Sequence, residues 1–293
     1  MKQPVENEFF MEGALNGHPV RFLLDTGFCS EEITMKNAAA VYLRTALQPI
    51  KDVGHSLSGK AIGHQSKGIA DSLVLGNVQV SRVTLHFASL PVLEGHAQGG
   101  LWFTDGMLDN ARAVRNDADG FLGLGFLRMC AAIIDPANRR LYLKPPGTGR
   151  TPRLGPALKP LGFSEASFQV TGYGLLVDVS INGVSGKMII DTGDDITLVE
   201  SHFAARAGLK TYRSGGRTMT DAAGAEIEPE WADPASFKIG GVETYRPKVQ
   251  VQPVPYLLPT GGRVVGLLGM DFIGQSWGII DFAQGKLYFA ATK

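Results

Sequence analysis

The sequence predicts a mostly β protein with short helices, built as two lobes that are related by internal duplication as a pseudo-dimer. Three observations carry that expectation: short Val/Ile/Leu/Phe-rich runs between turn signals, a repeat that spans most of the chain, and a Pro/Gly-rich link between the two copies. The 293 residues are 44% hydrophobic, enough for substantial cores, and 37 glycines and 16 prolines punctuate the apolar runs.

Each copy opens on an Asn-Gly turn and an apolar strand. NGHPVRFLLDTG begins at Asn16 and NGVSGKMIIDTG at Asn182, 166 residues later. Asn-Gly reads as a hairpin turn, and the strands FLLD and MIID deliver Asp25 and Asp191 into identical Asp-Thr-Gly loops. The next stretches, ITMKNAAAVYLRTAL and TLVESHFAARAGL, place apolar residues at helical spacing, so each loop is expected to lead into a short helix. Further on, Gly59 matches Gly224 and Gly76 matches Gly240, in segments that read as strands joined by glycine turns. The final blocks pair DGFLGLGFL and AAIID with VGLLGMDFI and WGIID, so that Gly120 matches Gly266 and Asp135 matches Asp281. The domain reading is a first lobe over residues 1–146 with an insertion at about 93–117, a linker over 147–164 and a second lobe over 165–293.

One Asp-Thr-Gly arises by chance in on the order of a few per cent of chains this long, but two in matched contexts are not coincidence. Two carboxyls held close together cannot both ionise comfortably, so they share a proton and titrate in separate steps. One can then take a proton from a water that attacks a peptide carbonyl while the other donates to the carbonyl oxygen. Thr26 and Thr192 offer hydroxyls for bonds across to the facing loop, and Gly27 and Gly193 allow a tight turn and close backbone approach.

With these residues in place the chain resembles the retropepsin-like aspartic proteases, specifically bacterial single chains carrying two such units in tandem. In that family an apolar-apolar-Gly segment threads beneath each D-T-G loop, and the matching residues are Phe121, Leu122 and Gly123, then Leu267, Leu268 and Gly269. The resemblance implies an aspartic endopeptidase with catalytic Asp25 and Asp191, supported by Thr26, Gly27, Thr192 and Gly193. It also implies flaps, which by position are the turns around Gly59 and Gly224. The departures are Phe28, Cys29 and Glu31 after the first loop, and Asp194 and Asp195 after the second, which keeps the family's threonine at Thr197. Phe28 narrows the expected site, and Asp194 adds negative charge that raises the pKa of the pair. The alternative is a catalytically inactive module that binds peptide on the same fold.

Other chemistries find little support. Gly54 to Lys60 imitates part of a phosphate loop, but Ala61 stands where a metal-holding hydroxyl belongs. The two cysteines, Cys29 and Cys130, and the six histidines show no metal-ligand spacing, so neither metal nor cofactor is expected. Cys29 reads as a packing neighbour, and Trp102, Trp231 and Trp277 as core or groove residues, with Trp102 in the insertion placed to touch substrate. Lys plus Arg equals Asp plus Glu at 28 each, scattered without a basic stripe, which argues against nucleic acid. The expected partner is a peptide or unfolded protein, bound by a monomer that supplies both loops. No apolar run of spanning length exists, and the N-terminus has neither a basic start nor an apolar stretch. A cytoplasmic location is expected as the chain is written, with export the alternative if a leader was trimmed.

Overall fold

A computed structural model describes residues 9–27, 33–36, 48–49, 66–88, 118–213, 219–220, 226–228 and 230–290. The first half contributes β1 (Phe10–Leu15), β2 (His18–Leu24), β3 (Ile33–Lys36), β4 (Gln48–Pro49), β5 (Ser66–Leu75), β6 (Val78–Ala88), β7 (Gly120–Leu122), β8 (Ile133–Asp135) and β9 (Arg140–Tyr142). The second contributes β10 (Phe163–Thr171), β11 (Gly174–Ile181), β12 (Val184–Ile190), β13 (Leu198–Glu200), β14 (Tyr212–Arg213), β15 (Met219–Thr220), β16 (Glu226–Ile227) and β17 (Glu230–Ala232). It closes with β18 (Phe237–Ile239), β19 (Val242–Glu243), β20 (Val249–Gln252), β21 (Val264–Leu268), β22 (Ile279–Asp281) and β23 (Lys286–Ala290). The helices are short, among them Leu124–Met129, Ser201–Arg206 and Met270–Gln275.

The first lobe is a seven-stranded sheet in the order β1-β2-β7-β3-β6-β5-β4, curled so that β1 also pairs with β5. In the second, the corresponding strands follow the order β20-β13-β21-β12-β11. Duplication reaches the side chains that brace the turns. Asn16 and Asn182 adopt φ of 51° and 50°, each followed by a glycine with positive φ, the geometry of a two-residue hairpin turn. The Asn16 carboxamide oxygen then accepts the backbone N–H groups of Asp71 and Ser72, and that of Asn182 accepts those of Ala235 and Ser236.

The helix expected after the second loop is present, opened by Glu200, whose carboxylate accepts the N–H groups of His202 and Phe203. In both halves the stretch read as helical opens as a strand, in the second Leu198–Glu200 and in the first Ile33–Lys36. There Ile33 and Thr34 are β-branched, and pairing with β6 on one side and β7 on the other outweighs the local apolar spacing. Gly59, Gly224, the insertion at 93–117, Trp102, the Gly54–Lys60 stretch, Phe28, Cys29 and Glu31 lie outside the described residues.

The two halves also share strands. β8 pairs antiparallel with β22, so the run β10-β23-β22-β8-β9 forms one continuous sheet across the halves. Its inner side chains, Ile134, Ile280, Leu287 and Phe289, are fully buried in the main core. Burying each such side chain contributes about 1.5–3 kcal/mol, so this shared sheet makes the halves one packed body.

Candidate active site

Both Asp-Thr-Gly loops hang from buried strands. Phe22, Leu23 and Leu24 in β2, and Met188, Ile189 and Ile190 in β12, are at most 1% exposed. Burial on both faces suits a central strand with parallel neighbours, and β7 runs parallel to β2 as β21 does to β12. The N–H groups of Asp25 and Asp191 donate to the carbonyls of Leu122 and Leu268, at 3.2 and 3.0 Å. These are the apolar-apolar-Gly segments picked out in the sequence. Their leading glycines are required by crowding, since a Cβ at Gly120 would collide with the carbonyl of Thr34 and one at Gly266 with that of Leu198.

Four buried hydrogen bonds lock the loops together. The Thr26 N–H donates to the Thr192 hydroxyl at 3.1 Å, and the Thr192 N–H to the Thr26 hydroxyl at 3.0 Å. The Thr26 hydroxyl donates to the Ile190 carbonyl at 2.7 Å and the Thr192 hydroxyl to the Leu24 carbonyl at 2.9 Å. Each threonine thus ties its own loop to the root of the other, and the pattern is two-fold symmetric.

The bracket presses the carboxyls together. Each carboxyl lies against the glycine of the opposite loop, Asp191 beside Gly27 and Asp25 beside Gly193. Gly27 and Gly193 donate N–H groups to their own loop's aspartate, each at 2.9 Å. Neither tolerates a side chain, because a Cβ on Gly27 would overlap the Asp191 carboxyl and one on Gly193 that of Asp25. Burial pushes the Asp191 carboxyl above the ordinary carboxylate range, against the pull of its bonds from the Gly193 N–H and from Asp25.

The second loop carries further acids with no counterpart in the first. Asp194 is pushed well up, first by withdrawal from solvent and then by the charge of Asp191. Asp195 is buried, and burial raises Asp271 to about 6. Asp271 is the residue that the sequence reading passed over. Its Oδ1 accepts the Thr197 N–H at 2.8 Å, the Thr197 hydroxyl at 2.7 Å and the Phe272 N–H at 2.7 Å. The Gly269 N–H donates in turn to the Thr197 hydroxyl at 3.2 Å. The retained Thr197 therefore links the second loop's exit to the segment beneath it, and the signal that could have found its partner was the Met-Asp pair directly after Leu267, Leu268 and Gly269.

The family model described as aspartyl protease matches residues 11–126 and 177–272, one match over each Asp-Thr-Gly loop. The chain belongs to the aspartyl protease family. Family membership accounts for the doubled loop, and the two matched regions coincide with the two copies seen in the sequence. Among solved structures the chain is similar to an aspartic proteinase from Irpex lacteus, at 14% identity over 98% of this chain and 94% of that one, with a TM-score of 0.48. It is also similar to a retropepsin-like aspartic protease from Rickettsia conorii, at 15% identity over 43% of this chain and 73% of that one, with a TM-score of 0.26. A third similar structure is the EIAV protease complexed with the inhibitor HBY-793, at 20% identity over 34% and 85%, with a TM-score of 0.27. A search of curated proteins found no match.

Of the residues expected at the site, Asp25, Thr26, Gly27, Asp191, Thr192 and Gly193 come together. The hairpin β15–β16 pairs Met219 with Ile227 and Thr220 with Glu226, flanking the expected second flap, whose tip at Gly224 is outside the described residues. Cys130 is buried, and burial pushes its thiol up to about 11, which suits a packing role. Trp231 is buried in β17, whereas Trp277 is 54% exposed and lies outside the core.

Proposed function

We propose that the protein is an aspartic endopeptidase in which Asp25 and Asp191 hydrolyse peptide bonds through an activated water. The observation that carries this reading is the pair of Asp-Thr-Gly loops locked by the Thr26–Thr192 bracket, with each carboxyl set against the glycine of the opposite loop. One carboxylate takes a proton from water as its oxygen bonds to the scissile carbonyl carbon, and the protonated partner gives its proton to the carbonyl oxygen. Collapse of the resulting diol breaks the C–N bond: the proton gathered from water passes to the leaving nitrogen, while a diol hydroxyl gives its proton to the other carboxylate. Both carboxyls return to sharing a single proton, with no covalent intermediate. Burial raises the affinity of Asp191 for a proton, which favours the singly protonated pair that this chemistry needs.

Peptide is the substrate class, bound extended along the cleft by strand pairing, with the hairpin tips expected at Gly59 and Gly224 closing over it. One chain supplies both loops, so a monomer is the working unit, and sedimentation should give a mass near 31.4 kDa. The deciding experiment is cleavage of denatured casein from about pH 3 to about pH 8, with and without a pepstatin-type inhibitor. Asp25→Asn and Asp191→Asn should each abolish cleavage while circular dichroism is unchanged. Cleavage surviving in both variants would remove the dyad, and none by the wild type at any pH would leave the peptide-binding alternative in its place.

A further inference from the structure

The chain is charge-balanced overall, yet one stretch is not. Residues 136–164 contain Arg139, Arg140, Lys144, Arg150, Arg153 and Lys159 and no Asp or Glu. All are exposed except the half-buried Lys144. The scattered-charge reading of the sequence therefore fails over this segment, which runs from the β8–β9 turn through the linker into β10.

Topology gathers these cations on one face. In the sheet shared by the two halves, the inner residues pack into the main core and their alternates lie on the other side of the sheet, where Asp281 and Tyr288 are themselves covered. Arg140 and Tyr142, paired with Asp135 and Ile133, belong to the outward set. The linker crosses the same face, since a Cβ on Gly155 would meet Tyr288 and Glu165, which pair with each other across β10 and β23. Between the linker and the β22–β23 turn lies an open cavity of about 620 Å³ lined by Arg150, Thr151, Arg153, Ala283 and Gln284. Among the described residues, no ion pair engages Arg150 or Arg153.

Exposed apolar side chains accompany the charge. Leu161 is 73% exposed, Trp277 54% and Tyr142 47%. The antiparallel register of β8 and β22 sets Trp277, two residues ahead of β22, beside the turn that carries Arg139 and Arg140.

We propose that this face docks the protein on an anionic lipid surface. Cations alone would suit any polyanion, but cations mixed with exposed Trp, Tyr and Leu match a headgroup layer. There the aromatic rings and leucine enter the interface while the arginines neutralise headgroups. The placement is independent of the catalytic reading, because the carboxyl pair takes no part in it.

The test is co-sedimentation of the full chain with vesicles of phosphatidylcholine alone or of an equal mixture with phosphatidylglycerol. Binding is expected only to the mixed vesicles and should vanish when salt is raised to ~0.5 M. Arg150→Gln/Arg153→Gln and Arg139→Gln/Arg140→Gln should each weaken partition by about twenty-fivefold, roughly fivefold per charge removed. The mixed vesicles should blue-shift tryptophan emission in the wild type and not in Trp277→Phe. No binding to mixed vesicles, equal binding to neutral ones, or binding indifferent to the arginine changes would each overturn the proposal. Retention on heparin without vesicle binding would also overturn it and assign the face to a soluble polyanion.

Discussion

Asp271 offers the most quantitative test of how the second loop is built. Burial holds its carboxyl at about 6 in the folded protein, against an ordinary value of 3.8. A raised carboxylate means that the folded state binds the proton more tightly than the unfolded chain. Its stabilising contribution is therefore complete below about pH 4 and is lost as pH rises through about 6. Two pKa units and a little more correspond to about 3 kcal/mol at 1.36 kcal/mol per unit. Asp271→Asn keeps an oxygen that can accept the bonds from Thr197 and Phe272, but it cannot ionise. Urea unfolding of wild type and variant at about pH 4 and about pH 7.5 should show the variant gaining about 3 kcal/mol relative to wild type between the two. A difference that stays constant with pH would refute both the burial of this charge and its raised pKa. Asp191, Asp194 and Asp281 are displaced in the same direction, chiefly by burial, so the wild type itself should be more stable in mild acid than at neutral pH.

Further consequences can be checked separately. Thr26→Ala removes the acceptor of the Thr192 N–H and the donor to the Ile190 carbonyl, both buried, and should cost about 2–5 kcal/mol in chemical denaturation. Thr192→Ala should match it, and the double variant should cost less than the sum because both break one bracket. Gly193→Ala drives a methyl into the Asp25 carboxyl, so casein cleavage should fall about a hundredfold with the fold retained.

The sequence by itself determined the parts that depend on local residue type and repetition. Two matched Asn-Gly turns, two apolar strands and two Asp-Thr-Gly loops specify a duplicated unit, because turn geometry and alternating burial are written in neighbouring residues. They were enough to name Asp25, Asp191 and the flanking threonines and glycines. What the tertiary structure decided lies in contacts between distant residues. Ile33–Lys36 became a strand because β6 and β7 were there to pair with it, which no local window records. Asp271 acquired its role only when the chain brought it back against Thr197, 74 residues earlier. The cationic linker became a surface because β8 and β9 joined the second half's strands and set residues 136–164 across one outer face. Local chemistry chooses turns, strands and reactive groups, whereas a shared proton, a buried acid or a charged face exists only where separate segments are held within a few ångströms of one another.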